Sequence, residues 1–239
     1  MAPVRGAFYF FQGLRLVFQP GLRRFVFIPL LVNSILFALG VWYGVGRVQA
    51  MLGWAATFLP TWLHWLNWLL GPFFILSMVL VFFSMFTAVA NLLASPFNSR
   101  LSAEVEGAIT GVKPLSEDPG HVIFNEIEKI FYFSKWLVWF FILFFVPIAN
   151  TLLAPLWFVF SAWMLAVEYG DYPMANHGLD GRAVRRHLRR HWPVSLGFGA
   201  AILVTMMVPL LNCLVMPAAV AGATLFWLKT INATVHPES

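Results

Sequence analysis

A proline-glycine turn followed by two arginines is the feature of this chain best suited to bind an anion. Gly21, Leu22, Arg23 and Arg24 follow Pro20, where a long apolar segment begins. A helix N-terminus exposes backbone N–H groups and carries roughly half a positive charge, so two further cations are unfavourably placed there. A bound anion would reverse that penalty, because the amides and the guanidinium groups would both donate to it. The competing interpretation is that the arginines mark membrane topology and reach lipid phosphates.

Several polar residues lie in or beside the apolar segments, where an unpaired amide is costly. Such residues either hold helices together or line a pathway, and an asparagine can donate to an oxyanion without adding a trapping charge. For Glu104 the alternative is an ion pair with a nearby arginine on a solvated helix. The candidate pore-lining residues are Asn33, Asn91, Asn98, Glu104, Asn150 and Asn212.

Patterns typical of enzymes and metal sites are missing from the sequence. It has no phosphate-binding loop, no H-E-x-x-H and no G-x-S-x-G. His187 and His191 have no third ligand candidate beside them, and the single cysteine, Cys213, excludes an internal disulfide. We therefore predict that the protein is not an enzyme and uses no metal or cofactor.

Five arginines between positions 182 and 190 repeat at helical spacing and form one basic face. A surface helix resting on anionic lipid accounts for this pattern, and the collection of anions at an inner mouth is the alternative. The stripe is short and lies beside apolar segments, so we predict no nucleic-acid partner.

The composition indicates an integral membrane protein. Hydrophobic residues make up 60% of the 239 positions and charged residues only 10%, against roughly 25% charged in soluble domains. We predict an all-α protein with one membrane domain over residues 1–239. An interfacial helix (1–20), two transmembrane helices (22–43 and 72–94) and a cytoplasmic helical segment (98–135) precede two membrane hairpins (136–167 and 192–228).

The two hairpins share the break pattern P-x-x-N-x4-P, at Pro147 and again at Pro209. From Trp136 to Val146 a helix covers about 16 Å, which reaches only the middle of the bilayer. From Trp192 to Val208 it covers about 25 Å, so the second hairpin is open between half and full crossing. We predict half penetration for both, and matched interruptions of this kind indicate a translocation pathway.

The distribution of basic residues predicts the orientation in the membrane. Lysine and arginine concentrate before residue 25, from 100 to 135 and from 182 to 190, while Arg47 stands alone between the first two crossings. By the positive-inside rule, both termini and the 98–135 and 168–191 segments are cytoplasmic, and residues 47–71 are outside.

Five segments, spread over nearly the whole chain, resemble the CysZ-type sulfate transporters of the bacterial inner membrane. The segments are Q-P-G-L-R-R-F-V-F-I-P-L-L-V-N (19–33), A-N-L-L-A-S-P-F-N (90–98), L-W-F-V-F-S-A-W-M-L-A (156–166), Y-G-D-Y-P-M-A-N-H (169–177) and P-L-L-N-C-L-V-M-P (209–217). The resemblance implies sulfate uptake for cysteine biosynthesis, two long transmembrane helices with hemi-penetrating hairpins, and a homo-oligomer built from dimers in the lipid bilayer. It also implies that Gly21, Leu22, Arg23 and Arg24 bind sulfate.

Energetics restricts the mode of uptake. Moving two negative charges inward against a negative-inside potential costs about 4.6 kcal/mol per 100 mV. Proton coupling usually leaves a carboxylate or histidine in the membrane, and the four long uncharged blocks contain no Asp or Glu. We therefore expect a channel-like or facilitated route without a proton relay, drawn by consumption of sulfate. The alternatives are transport of another oxyanion, such as sulfite or thiosulfate, and a scaffold that transports nothing.

Overall fold

The structure, a computed structural model, describes residues 1–56, 67–114, 119–144 and 147–235, and all regular structure in those ranges is helical. The all-α prediction is confirmed there. The helices are α1 (Ala2–Leu16), α2 (Arg24–Ala56), α3 (Asn67–Thr110), α4 (Pro119–Phe144), α5 (Pro147–Ala175), α6 (Gly181–Arg190), α7 (Trp192–Met206) and α8 (Pro209–Val235).

The chain divides into two compact units. One unit contains Met1–Val26 and Phe97–Ser239, and the other contains Phe27–Pro96. The first unit therefore includes the turn before α2, the end of α3 and all of α4 to α8. Most of α2 and the first part of α3 make up the second unit.

The helices of the second unit are longer than the predicted crossings. Arg24–Tyr43 is long and apolar enough to cross a membrane. Only 6% of it is buried, so large exposed side chains such as Phe27 and Trp42 are available to contact lipid. The helix continues beyond position 43 to Ala56, and α3 runs unbroken past residue 94 to Thr110. An interior proline such as Pro96 removes one hydrogen bond, but the flanking ladder can carry the helix onward. Residues 57–66 of the predicted external stretch lie outside the described residues.

Close backbone contact holds α1 against α7 and α8 in the first unit. A Cβ added to Gly6 would overlap the backbone of Val194, and one added to Gly13 would overlap that of Ala218 and Gly222. Glycine removes the side chains that would keep these helices apart, as small residues do in membrane bundles. The opposite face of α1 exposes Phe8 and Phe11, the side that an interfacial helix would turn to lipid.

Replacing Gly13 by alanine is expected to lower the free energy of unfolding by about 1–3 kcal/mol, because the added methyl group must separate α1 from α8. Gly53→Ala is the control, since nothing lies within 4 Å of a Cβ at that helical position. That change is expected to be neutral or mildly stabilising. Thermal unfolding in detergent measures both, and equal midpoints for the two variants would contradict the close packing.

Both predicted hairpin regions contain two helices, and the second helix of each pair begins at a proline. α5 begins at Pro147 and α8 at Pro209, because proline suits the first turn of a helix; residues 145–146 lie outside the described residues. Pro155 and Pro217 instead lie inside α5 and α8, so the second proline of each motif does not end a helix. The helices extend beyond the predicted membrane limits 136–167 and 192–228, since α4 begins at Pro119 and α8 continues to Val235, and the membrane limits themselves stay a prediction.

Aromatic contacts show that α4 and α5 run antiparallel. The ring centroids of Trp136 and Phe160 are 6.2 Å apart, and those of Phe140 and Trp157 are 5.0 Å apart. Residues later in α4 therefore contact residues earlier in α5. Within α5, Leu153–Ala175 is by length and hydropathy a second candidate membrane span.

Candidate functional site

The turn between α1 and α2 requires its glycine. Gly21 has φ +95°, in the left-handed region, and a Cβ there would meet nothing within 4 Å. The need for glycine therefore comes from the backbone conformation and not from crowding. Leu22 is 5% exposed and anchors the turn in the core of the first unit, while Arg23 and Arg24 are exposed. The turn therefore holds two exposed guanidinium groups beside the buried side chain of Leu22.

The backbone amides of this turn are partly used within it. The carbonyl of Gln19 accepts from the N–H groups of Leu22 at 3.1 Å and Arg23 at 3.3 Å. These two amides were predicted to donate to an anion, and in this conformation they donate to the chain itself. The arginine side chains are therefore the main donors that the turn offers to a ligand.

Glu104 lies beside the second arginine. Arg24 Nη2 is 3.3 Å from Glu104 Oε1, and Lys113 Nζ is 2.9 Å from Glu104 Oε2. The side chain of Arg24 remains 58% exposed, and exposed pairs of this kind contribute little to stability. The carboxylate of Glu104 therefore binds Arg24 weakly, and an incoming anion can compete with it for the guanidinium group.

The other predicted pore-lining residues do not gather at this turn in the described part of the chain. Asn98 is 6% exposed and donates to Tyr172 Oη at 3.3 Å, so it joins helices. Asn212 lies exposed near the start of α8. The structure does not describe the side chains of Asn33, Asn91 and Asn150.

A known protein family matches most of the chain. Residues 9–217 match the family model described as Sulfate transporter CysZ/Etoposide-induced protein 2.4. The chain belongs to this family. A relative from Pectobacterium atrosepticum, named Sulfate transporter CysZ, is 37% identical over 245 residues, which cover 98% of this chain and 89% of the relative. The match includes the turn before α2, and together with the apolar helices it identifies a membrane protein.

In this family member, a buried ionic cluster lies between α4 and α5, and the sequence analysis missed it. Lys129 is 2% exposed, and its Nζ lies 3.2 Å from Asp171 Oδ2 and 3.4 Å from Glu168 Oε2. The signal was present in the segment Y-G-D-Y-P-M-A-N-H, whose polar residues follow directly on an apolar run. The expectation of no proton relay rested on apolar blocks without Asp or Glu, whereas the candidate span Leu153–Ala175 contains two carboxylates.

The same segment supplies a second set of polar contacts to the end of α3, buried at Asn176 and partly exposed at His177. Asn176 accepts from Ser99 Oγ at 2.7 Å and donates to its carbonyl at 3.0 Å. His177 Nε2 lies 2.9 Å from Glu106 Oε1. Buried polar groups need such partners, so this network fixes how α3 meets α5.

The basic helix α6 is anchored to the first unit. Asp180 caps it by accepting from the N–H of Ala183 at 2.7 Å, and Val184 and Leu188 are fully buried. Burial, followed by the nearby His191 and Arg190, lowers the pKa of His187 from 6.5 to about 4. At neutral pH the positive charge of the helix therefore comes from its arginines.

Proposed function

We propose that this protein carries sulfate across the bacterial inner membrane and binds it at the turn formed by Gly21, Leu22, Arg23 and Arg24. The observation that carries the proposal is the exposed arginine pair on a left-handed glycine turn, in a chain of this transporter family. Sulfate is a dianion without a proton at neutral pH, so a site of donors suits it. The name of the Pectobacterium relative supports the same substrate.

Glu104 acts in this proposal as a counterion that sulfate displaces from Arg24. It lies 3.3 Å from that guanidinium, and Lys113 can retain it when sulfate binds. Asn33, Asn91, Asn150 and Asn212 remain proposed contacts along the pathway. Asn98, which bonds to Tyr172, contributes by holding α3 against α5.

Replacing Glu104 by glutamine is expected to tighten sulfate binding by about two- to fivefold, because a competing charge is removed from an exposed pair. Calorimetry on the purified protein measures the change. Glu106→Gln is the control, since that carboxylate lies on the same helix as Glu104 and pairs with His177. Weaker sulfate binding in Glu104→Gln would show that the carboxylate helps to hold the site and does not compete for it.

We propose that the route is facilitated and supplies cysteine biosynthesis, in a homo-oligomer built from dimers with cytoplasmic termini and half-penetrating hairpins. The two carboxylates in α5 both lie against Lys129, which balances one of their two negative charges and ties both to α4. The four long uncharged blocks supply no other acid. Transport should therefore need no proton gradient.

Uptake of labelled sulfate into proteoliposomes tests the proposal. Flux is expected at zero proton gradient, with sulfite and thiosulfate competing less well than unlabelled sulfate. Absence of flux from correctly inserted protein would favour a scaffold, and preferential competition by sulfite or thiosulfate would reassign the substrate. Strict dependence on an imposed gradient would overturn the facilitated route while leaving the substrate intact.

A further inference from the structure

A cavity beside the basic helix is lined almost entirely by cations. It has a volume of about 410 Å³ and lies between α4 and α6. Its lining residues are Tyr132, Arg182, Arg185, Arg186 and Arg189. We propose that this cavity is a second anion site, for a tetrahedral oxyanion such as phosphate or a phosphate monoester.

The charge at the cavity is not balanced by the acid beside it. Glu128 Oε1 lies 2.6 Å from Arg185 Nη2 and 3.8 Å from Arg182 Nε, so one carboxylate serves two guanidinium groups. Among the described residues, four arginines and one glutamate leave an excess of three positive charges around one opening. Holding like charges together is unfavourable, and a bound dianion would remove most of that repulsion.

Arg185 has a donor left over at the cavity. Its side chain is 12% exposed, its Nη2 is bonded to Glu128, and its guanidinium lies 4.7 Å over the ring of Tyr132. Within the part of the chain that the structure describes, its buried Nη1 has no hydrogen-bond partner. Leaving a buried charged donor unpaired is costly, and a small turn of the side chain toward the cavity would pair it with an oxyanion oxygen.

The other lining groups suit the same ligand. Tyr132 Oη accepts from Trp163 Nε1 at 3.2 Å and so keeps its own proton to donate. Arg186 and Arg189 are exposed on a helix whose other face is buried, so they reach the opening from a rigid support. Planar guanidinium groups bind phosphate and sulfate through paired N–H donors. The ligand is either a dissolved ion or the headgroup of an anionic lipid, since both carry this chemistry.

Calorimetry with inorganic phosphate on the full chain in neutral detergent tests the free-ion source. It is done in an Arg23→Ala/Arg24→Ala background, so that the turn before α2 contributes nothing. Arg186→Gln is expected to weaken phosphate binding by about tenfold, the effect of losing one charge-assisted contact. Arg190→Gln is the matched control, because it is exposed on the same helix and does not line the cavity.

Retention of phosphatidic acid tests the lipid source. The protein is equilibrated with mixed phosphatidic acid and phosphatidylcholine micelles, repurified, and examined by native mass spectrometry. Retention that Arg186→Gln reduces and Arg190→Gln preserves supports a headgroup site, and phosphate binding with the same dependence supports a site for the free ion. The proposal is overturned if neither ligand binds, or if both substitutions weaken binding equally, since the latter indicates only a general attraction to positive charge.

Discussion

Replacing both Arg23 and Arg24 by alanine is expected to weaken sulfate binding by a factor of about 100 or more and to reduce uptake in the same proportion. Each guanidinium contributes a hydrogen bond to a charged group, worth about 1.5–3 kcal/mol, and two such losses give this factor. Both side chains are exposed in the structure, so their removal should leave the packing around Leu22 intact. Calorimetry with sulfate and flux into proteoliposomes measure the two effects.

The control for this experiment is Arg5→Ala/Arg15→Ala, which removes the same charge from exposed positions on α1. That variant is expected to bind sulfate as the unchanged protein does. Equal loss in both variants would mean that overall charge attracts the ion and that the turn holds no site. Full activity of the Arg23→Ala/Arg24→Ala protein would instead favour the topology-marking role of these arginines.

Replacing Lys129 by methionine is expected to cost about 3–5 kcal/mol of stability, the largest stability effect we predict. The substitution removes the cation within 3.4 Å of both Asp171 and Glu168 and keeps a similar volume at a position that is 2% exposed. Its cost comes mainly from the negative charge that stays behind in a buried place. Thermal unfolding in detergent is the measurement.

Two further variants separate charge from packing. Lys113→Met breaks a lysine–glutamate pair that is 60% exposed on the lysine side, and it is expected to cost less than about 1 kcal/mol. The double variant Lys129→Met/Asp171→Asn is expected to recover part of the loss, because it also removes the most buried of the two acids. If the double variant is less stable than Lys129→Met alone, the role assigned to the ion pair is wrong.

Local features of the sequence predicted the membrane class, the helical fold and the interruption before Pro209. Apolar length and low charge are properties of a segment by itself. A proline also acts locally, because it removes one backbone hydrogen bond of the helix that contains it. The interruption before Pro209 was predicted for that reason. α2 and α3 extend beyond the predicted crossings, because a helix can continue past the apolar stretch that crosses the bilayer.

The turn at Gly21 was also readable from the sequence, since only glycine adopts its left-handed conformation easily. Which groups surround it was decided by the tertiary structure. Arg24 meets Glu104 across 80 positions, and Lys129 meets Asp171 only because α4 packs on α5. Periodicity tells which residues share a face of one helix, whereas the partner of that face depends on how the helices pack together.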